Sequence, residues 1–160
     1  MKLAENFKTV PVLNYDDMDT GGNLVGDSIN MKNYHRASFI INLHDIGTAS
    51  PVMYIYSGAT DAAVTSALTF HYAFGSAAQG TALCDVLGAD ATSDGLTLTH
   101  GTYDEYMLIA EVDAVDMDTA NGENWLTIVF TDPGTATGHV TVTAILTPRY
   151  TKNLSVTALA

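Results

Sequence analysis

The sequence predicts an all-β fold, an antiparallel β-sandwich or jelly-roll-like single domain with flexible or arm-like termini. Three observations predict it. Apolar residues alternate with polar ones at period two in segment after segment, the spacing of a half-buried strand. Turn signals, Asn121-Gly122 and Pro133-Gly134 among them, punctuate these segments at short intervals. No long helical pattern competes, and 160 residues suit one domain with its own core.

Residues 1–26 open with "MKLAENFKTVPVLNYDD" and hold little periodic pattern, so they read as an extended arm or approach segment. "SINM" (28–31) is a first short strand. "ASFIINL" (37–43), "VMYIYS" (52–57) and "ALTFHY" (67–72) are rich in β-branched and aromatic residues and read as further strands. "TDAAVTSAL" (60–68) and "TALCDVLGA" (81–89) are each long enough for a short helix. "EYMLIAEVD" alternates Tyr106, Leu108, Ala110 and Val112 against Met107, Ile109, Glu111 and Asp113. "WLTIVFT" (125–131) is apolar on both faces, as a central strand would be. "HVTVTAILT" sets Val140, Val142, Ala144 and Leu146 against Thr141, Thr143 and Thr147. The sandwich is thus expected over residues 27–150, with 151–160 as a C-terminal tail.

Composition narrows the partners. Net charge is −12, with only six Lys and Arg. Nucleic-acid binding needs basic side chains to displace counterions from phosphates, so no nucleic acid is expected. An anionic membrane surface is excluded for the same reason. A basic protein surface or a divalent cation remains. Charged residues make up 15% of the chain, which leaves Thr, Ser, Asn and Gly to cover the surface, a composition suited to packed β assemblies. Cys84 stands alone, so no intrachain disulfide forms. The opening residues lack the apolar run of a signal peptide, and no segment has the length of a membrane span. Synthesis and solubility in the cytoplasm are the expectation.

Asp-Met-Asp-Thr occurs twice, at Asp17–Thr20 and Asp116–Thr119. Neither copy is an EF-hand. From Asp116, loop position 5 is Ala120 and position 12 is Thr127; from Asp17, they are Gly21 and Ser28. Asp113, Asp116, Asp118 and Glu123 stay as candidates for a non-EF calcium site, because close carboxylates repel unless a cation joins them. The competing reading is a solvated turn that satisfies itself through Asx-type hydrogen bonds. Calcium is the one cofactor considered. "GDSI" (26–29) has the look of an esterase start, but no Asp-x-x-His follows to activate Ser28. The five histidines show no metal-ligand spacing. Tyr54 and Tyr56 share a strand face and, with Trp125, are candidates for a sugar-stacking platform; the alternative is ordinary cross-strand aromatic packing. No enzymatic motif emerges.

Two longer stretches carry a resemblance. "SINMKNYHRASFIINLHDIG" (28–47) places a short strand and Met-x-x-Tyr before an apolar strand that ends near Gly. "EVDAVDMDTANGENWLTIVFTD" (111–132) runs from an acidic strand end through an Asp-x-Asp turn and Asn-Gly into a strand, followed by "VTAILTPRY" (142–150). This order resembles small β-sandwich structural proteins of tailed bacteriophages, over roughly Asp27 to Tyr150. The resemblance implies a non-enzymatic virion protein on the capsid surface, a head decoration or auxiliary capsid protein made in the host cytoplasm. Its partners would be the phage major capsid protein and copies of itself in a symmetric homo-oligomer, a trimer being one such arrangement. A tail or head-fibre component, or a carbohydrate- or receptor-binding sandwich, is the alternative.

Overall fold

The computed structural model describes residues 2–134 and 138–159. The turn signal "TDPGTATG" lies partly outside them, as does the last residue of the tail. Twelve strands follow one another: β1 (Lys8–Asp17), β2 (Leu24–Val25), β3 (Ile29–Asn30), β4 (Tyr34–Leu43), β5 (Val52–Gly58), β6 (Ser66–Ala67), β7 (Phe70–Phe74), β8 (Ala91–Ser93), β9 (Leu96–Thr97), β10 (Met107–Asp113), β11 (Trp125–Phe130) and β12 (His139–Pro148). One sheet has the order β1-β12-β4-β10-β7-β8. The other has β2-β11-β5-β6, with β3 also paired to β11 and β9 to β5. Every pairing is antiparallel. The fold is an all-β sandwich.

Period two sets the core. Ala37, Phe39, Ile41 and Leu43 of β4 are fully buried, while Ser38, Ile40 and Asn42 between them are half-exposed. β10 and β12 repeat the pattern with Leu108, Ala110 and Val112, and with Val140, Val142, Ala144 and Leu146. Met53 and Ile55 of β5 and Leu126, Ile128 and Phe130 of β11 complete the same cluster from the second sheet. Each Val, Leu, Ile, Met or Phe among them contributes about 1.5–3 kcal/mol through burial.

The structure extends the domain at both ends, correcting the expected boundaries at 27 and 150. Residues 8–17 are not a flexible approach but the edge strand of the β1-containing sheet, with Val10, Val12 and Leu13 buried, and Met18 just after it is fully buried. Their register against β12 shifts twice, between Pro11 and Leu13 and between Leu13 and Asp16. These bulges put Val12 and Leu13 side by side in the core and break the alternation that would have announced a strand. Pro11 and the bulges also suit an edge, where they discourage pairing with another chain. The tail docks as well. Asn153 is buried and donates to the Asn33 carbonyl at 3.0 Å, and the Ala158 carbonyl accepts from the Asn30 N–H at 2.8 Å.

Neither short helix forms. Segment 60–68 contains Ala62 at φ +58° and segment 81–89 contains Leu83 at φ +76°, left-handed values incompatible with helix continuation. Helical structure among the described residues is one turn, α1 (Leu3–Asn6), with four 3-10 turns. No helix there is long and apolar enough to cross a membrane.

A buried polar strap replaces the first helix. Ser57 Oγ donates to Glu123 Oε2 at 2.5 Å, and Ser66 Oγ to Glu123 Oε1 at 3.2 Å. Ser28 Oγ shares a hydrogen bond with Thr127 Oγ1 at 2.7 Å and accepts from the Ala62 N–H at 2.9 Å. Gly58 lies so close to Ala63 that an added Cβ would sit 2.5 Å from the Ala63 Cβ. The segment from Ala59 to Thr65 is therefore held down on the second sheet. Among the described residues, no buried side-chain nitrogen or oxygen lacks a partner.

Removing the Glu123 carboxylate strands the buried Ser57 hydroxyl and frees the half-buried Ser66 hydroxyl. Glu123→Ala is expected to destabilise the fold by about 2–3 kcal/mol, with Glu123→Gln retaining part of that. Urea unfolding followed by Trp125 fluorescence measures it; equal stability of Glu123→Ala and the parent would show that the strap carries no load.

Candidate functional site

The acidic segment 113–124 connects β10 of one sheet to β11 of the other, so it crosses an end of the sandwich and is not a hairpin. Gly122 makes the reversal at φ +79°. Three of the four calcium candidates are drawn to different tasks. Asp113 accepts two hydrogen bonds from Arg36, Nε to Oδ1 at 2.7 Å and Nη2 to Oδ2 at 2.9 Å. Asp118 caps the following turn, accepting from the Asn121 N–H at 3.3 Å and from Asn121 Nδ2 at 2.7 Å. Glu123 is buried in the strap already described. Asp116 is exposed and shares a cleft with Asp113. Among the described residues, no group of three or more His, Cys, Asp or Glu is placed to hold a metal ion.

That cleft, of about 240 Å³, is lined by Arg36, Thr69, His71, Glu111, Asp113 and Asp116, with Asp90 at its rim. It lies on the outer face of the β1-containing sheet because β4, β10 and β7 bring Arg36 opposite Asp113 and Glu111 opposite both Ser38 and His71. Ser38 Oγ donates to Glu111 Oε1 at 2.6 Å, and His71 Nδ1 stands 2.9 Å from Asp90 Oδ2. Hydrogen bonding from Arg36 holds the Asp113 carboxyl below the usual carboxylate range, and the same contact raises Arg36. Arg36 and Asp113, Ser38 and Glu111, and His71 and Asp90 thus pair within or beside this cleft.

The aromatic candidates share the outer face of the second sheet. Tyr54 lies opposite Val129, Tyr56 opposite Thr127, and Trp125 opposite Gly58. The Tyr54 and Tyr56 rings are 5.7 Å apart at 33°. Tyr54 also packs on the backbone of Gly95, where an added Cβ would stand 2.6 Å from its Cε1. All three rings are half-buried. Ser28 is held within the strap, as a structural residue.

Two surface features escaped the sequence reading. Tyr15, at φ +58° and 58% exposed, stacks on His139 at 4.4 Å and meets His44 edge-on at 4.9 Å. The non-glycine left-handed conformation costs about 1–2 kcal/mol, and no local motif announces it. The second is the segment between β7 and β8, which presents Leu83, Val86 and Leu87 to solvent. Part of this segment (81–89) reads in the sequence as long enough for a short helix, and no helix forms there.

No known protein-family model matches the chain, and no curated protein is significantly similar to it.

Two outcomes follow. Asp113 contributes stability that is complete above about pH 4, its ordinary range, and is lost as the pH falls through its lowered folded value. The pair is 39–47% exposed, so the effect is well under ~1 kcal/mol; Asp113→Asn should lower the melting temperature slightly at pH 7, and the difference should shrink as the pH falls below the ordinary carboxylate range. Calcium should not raise the melting temperature of the parent protein or of Asp116→Asn/Asp118→Asn. A calcium-dependent rise in the parent that vanishes in the double variant would establish a cation site.

Proposed function

We propose that this chain is a non-enzymatic structural protein of a tailed-phage virion, a decoration protein that binds the capsid surface and stabilises the shell through protein contacts. The observation that carries the reading is the apolar tip between β7 and β8. Leu83, Val86 and Leu87 are between 44% and 61% exposed on one irregular segment. Long excursions without regular structure inside a compact domain are characteristically functional. Grouped exposed aliphatics favour burial against another macromolecule.

The tip is held out. Gly75 and Leu87 form a β-bridge, Gly88 N–H donates to the Phe74 carbonyl at 2.8 Å, and Gln79 N–H donates to the Glu105 carbonyl at 2.7 Å. A segment fixed at its base loses little freedom on docking, which favours affinity. The acidic surface around it complements a basic shell and disfavours nucleic acid. The sandwich fold and the resemblance over residues 27–150 support the same reading.

Co-sedimentation with shells assembled from the major capsid protein of the encoding phage tests it. Saturable binding is expected, reduced at least tenfold in Leu83→Asp/Leu87→Asp. Absence of binding by the parent protein would remove the decoration role. Glycan-array binding abolished by Tyr56→Ala would favour a carbohydrate-binding module instead.

A further inference from the structure

The β1-containing sheet gives one face to the core. On its other face Ile40 of β4, Ile109 of β10 and Ile145 of β12 are half-exposed. Strand pairing joins them. Ile109 stands opposite Ile40 on one side and opposite Ala73 of β7 on the other. Ile145, opposite Ser38, is a diagonal neighbour of Ile40. These side chains form one apolar strip. Two residues further along β10 the next outward row is polar, with Glu111 between His71 and Ser38, and the row after that sets Asp113 opposite Arg36. Each step between rows is roughly 7 Å. Two cavities follow the rows. The cleft of about 240 Å³ covers the acidic ones, and a second, of about 300 Å³, runs from Glu111 and His71 to Ile109, Ala73 and Leu87. Both are lined by His71, Asp90 and Glu111, so they are one groove, acidic at one end and apolar at the other.

The acidic end has charge to spare. Arg36 and Asp113 cancel through their two hydrogen bonds. Glu111, Asp90 and Asp116 remain, and apart from Arg36 no Lys or Arg lines either cavity. Ser38 occupies Oε1 of Glu111, and no hydrogen bond among the described residues reaches Oε2. Asp116 makes no hydrogen bond to the described residues and is exposed. Carboxylates gathered in a concave site raise the local concentration of cations more than the same charges spread over a convex surface. A divalent metal is not the match, because no group of three ligating side chains converges among the described residues. A basic side chain needs no such convergence: a guanidinium takes carboxylates through a planar fork of N–H groups.

We propose that this groove docks an extended segment of a partner protein in which an Arg stands two residues from an aliphatic side chain. Charge complementarity selects the Arg, which enters beside Glu111, Asp90 and Asp116. Spacing selects the rest. An extended chain repeats its side chains on one side at every second residue, roughly every 7 Å, the same step that separates the Glu111 row from the Ile109 row. With the Arg at Glu111, the aliphatic side chain falls on Ile109, Ala73 and Leu87, which gain the burial they lack in the free protein. Leu87 belongs to the exposed segment between β7 and β8, so the groove and that segment adjoin and can engage one partner together.

This inference deepens the proposed function and rests on it for the identity of the partner, but not for the chemistry of the groove. The test is titration of the isotope-labelled full chain with the peptide Ac-Thr-Arg-Thr-Leu-Thr-NH2, followed by amide chemical shifts in 0.15 M salt. Saturable shifts are expected at Ile109, Glu111 and His71. Citrulline in place of the Arg keeps the shape without the charge and should bind roughly tenfold more weakly or worse. Glu111→Gln/Asp116→Asn should lose as much, and Asp90→Asn, at an exposed side chain, gives the readout if circular dichroism shows the double variant unfolded. No response to the peptide, equal binding of the citrulline form, or shifts confined to another surface overturns the inference. So does self-association of the parent that the double variant abolishes, which would make a second copy the occupant. Shell co-sedimentation separates the two readings. Peptide binding by a parent that ignores shells would remove the decoration role and leave the groove standing; shell binding with no peptide response would do the reverse.

Discussion

The constraint on which the rest depends is the one-sided burial of β4, β10 and β12. Each is seven or ten residues long and gives its inward positions wholly to apolar side chains. A one-residue slip in any of them would turn that apolar face to water, so their register is fixed. Once it is fixed, the chain can cross to the other sheet only at strand ends. Crossings such as Leu43 to Val52 and Asp113 to Trp125 then become the places where Asp, Gly and Asn collect, because turns need the conformations those residues tolerate. The gathering of acids at these crossings is thus partly imposed by topology. What topology does not impose is that every Lys and Arg should fall at the same end.

Much of this was legible because period two is a strong signal wherever neither bulge nor proline interrupts it. β4, β5, β10, β11 and β12 stood in the sequence nearly residue for residue. β1 did not, because two bulges place Val12 and Leu13 inward together and turn Tyr15 into the left-handed region. β2, β3, β6, β8 and β9 have two or three residues each, too few for any period to register. The two expected helices were apolar stretches whose composition suited a helix but whose chain direction is set by tertiary hydrogen bonds: Ala62 N–H to Ser28 Oγ in one, Ser76 N–H to the Val86 carbonyl in the other.

The acidic turns teach the converse. Four carboxylates within eleven residues invite a cation, yet sequence proximity says nothing about which partners cross from other strands. Arg36, 77 positions from Asp113, reaches it through β4–β10 pairing, and Ser57 and Ser66 reach Glu123 from β5 and β6. Each pairing removes one carboxylate from any shared site. The likeness of Asp17–Thr20 and Asp116–Thr119 is likewise local: Asp17 Oδ1 accepts from the Asp19 N–H at 2.9 Å, while Asp118 closes its own turn through Asn121. The same tetrapeptide serves a strand end in one place and a sheet-to-sheet crossing in the other.

The larger surface pattern follows from how little charge the chain carries apart from its acids. With basic residues so few, their placement matters more than it would on a surface with mixed charges. The end where β1 starts and β12 finishes, which holds every Lys and Arg, the opposite end, whose charged residues are acids, and the exposed aliphatic segment between β7 and β8 give the sandwich chemically distinct surfaces. Solubility alone does not require such separation, since scattered charge serves it as well. Separation becomes useful when each surface must choose a different neighbour. Like charges forbid wrong pairings as effectively as complementary ones favour right ones. The acidic end cannot meet another acidic end, and the tip cannot meet another tip without opposing Asp85 and Asp90.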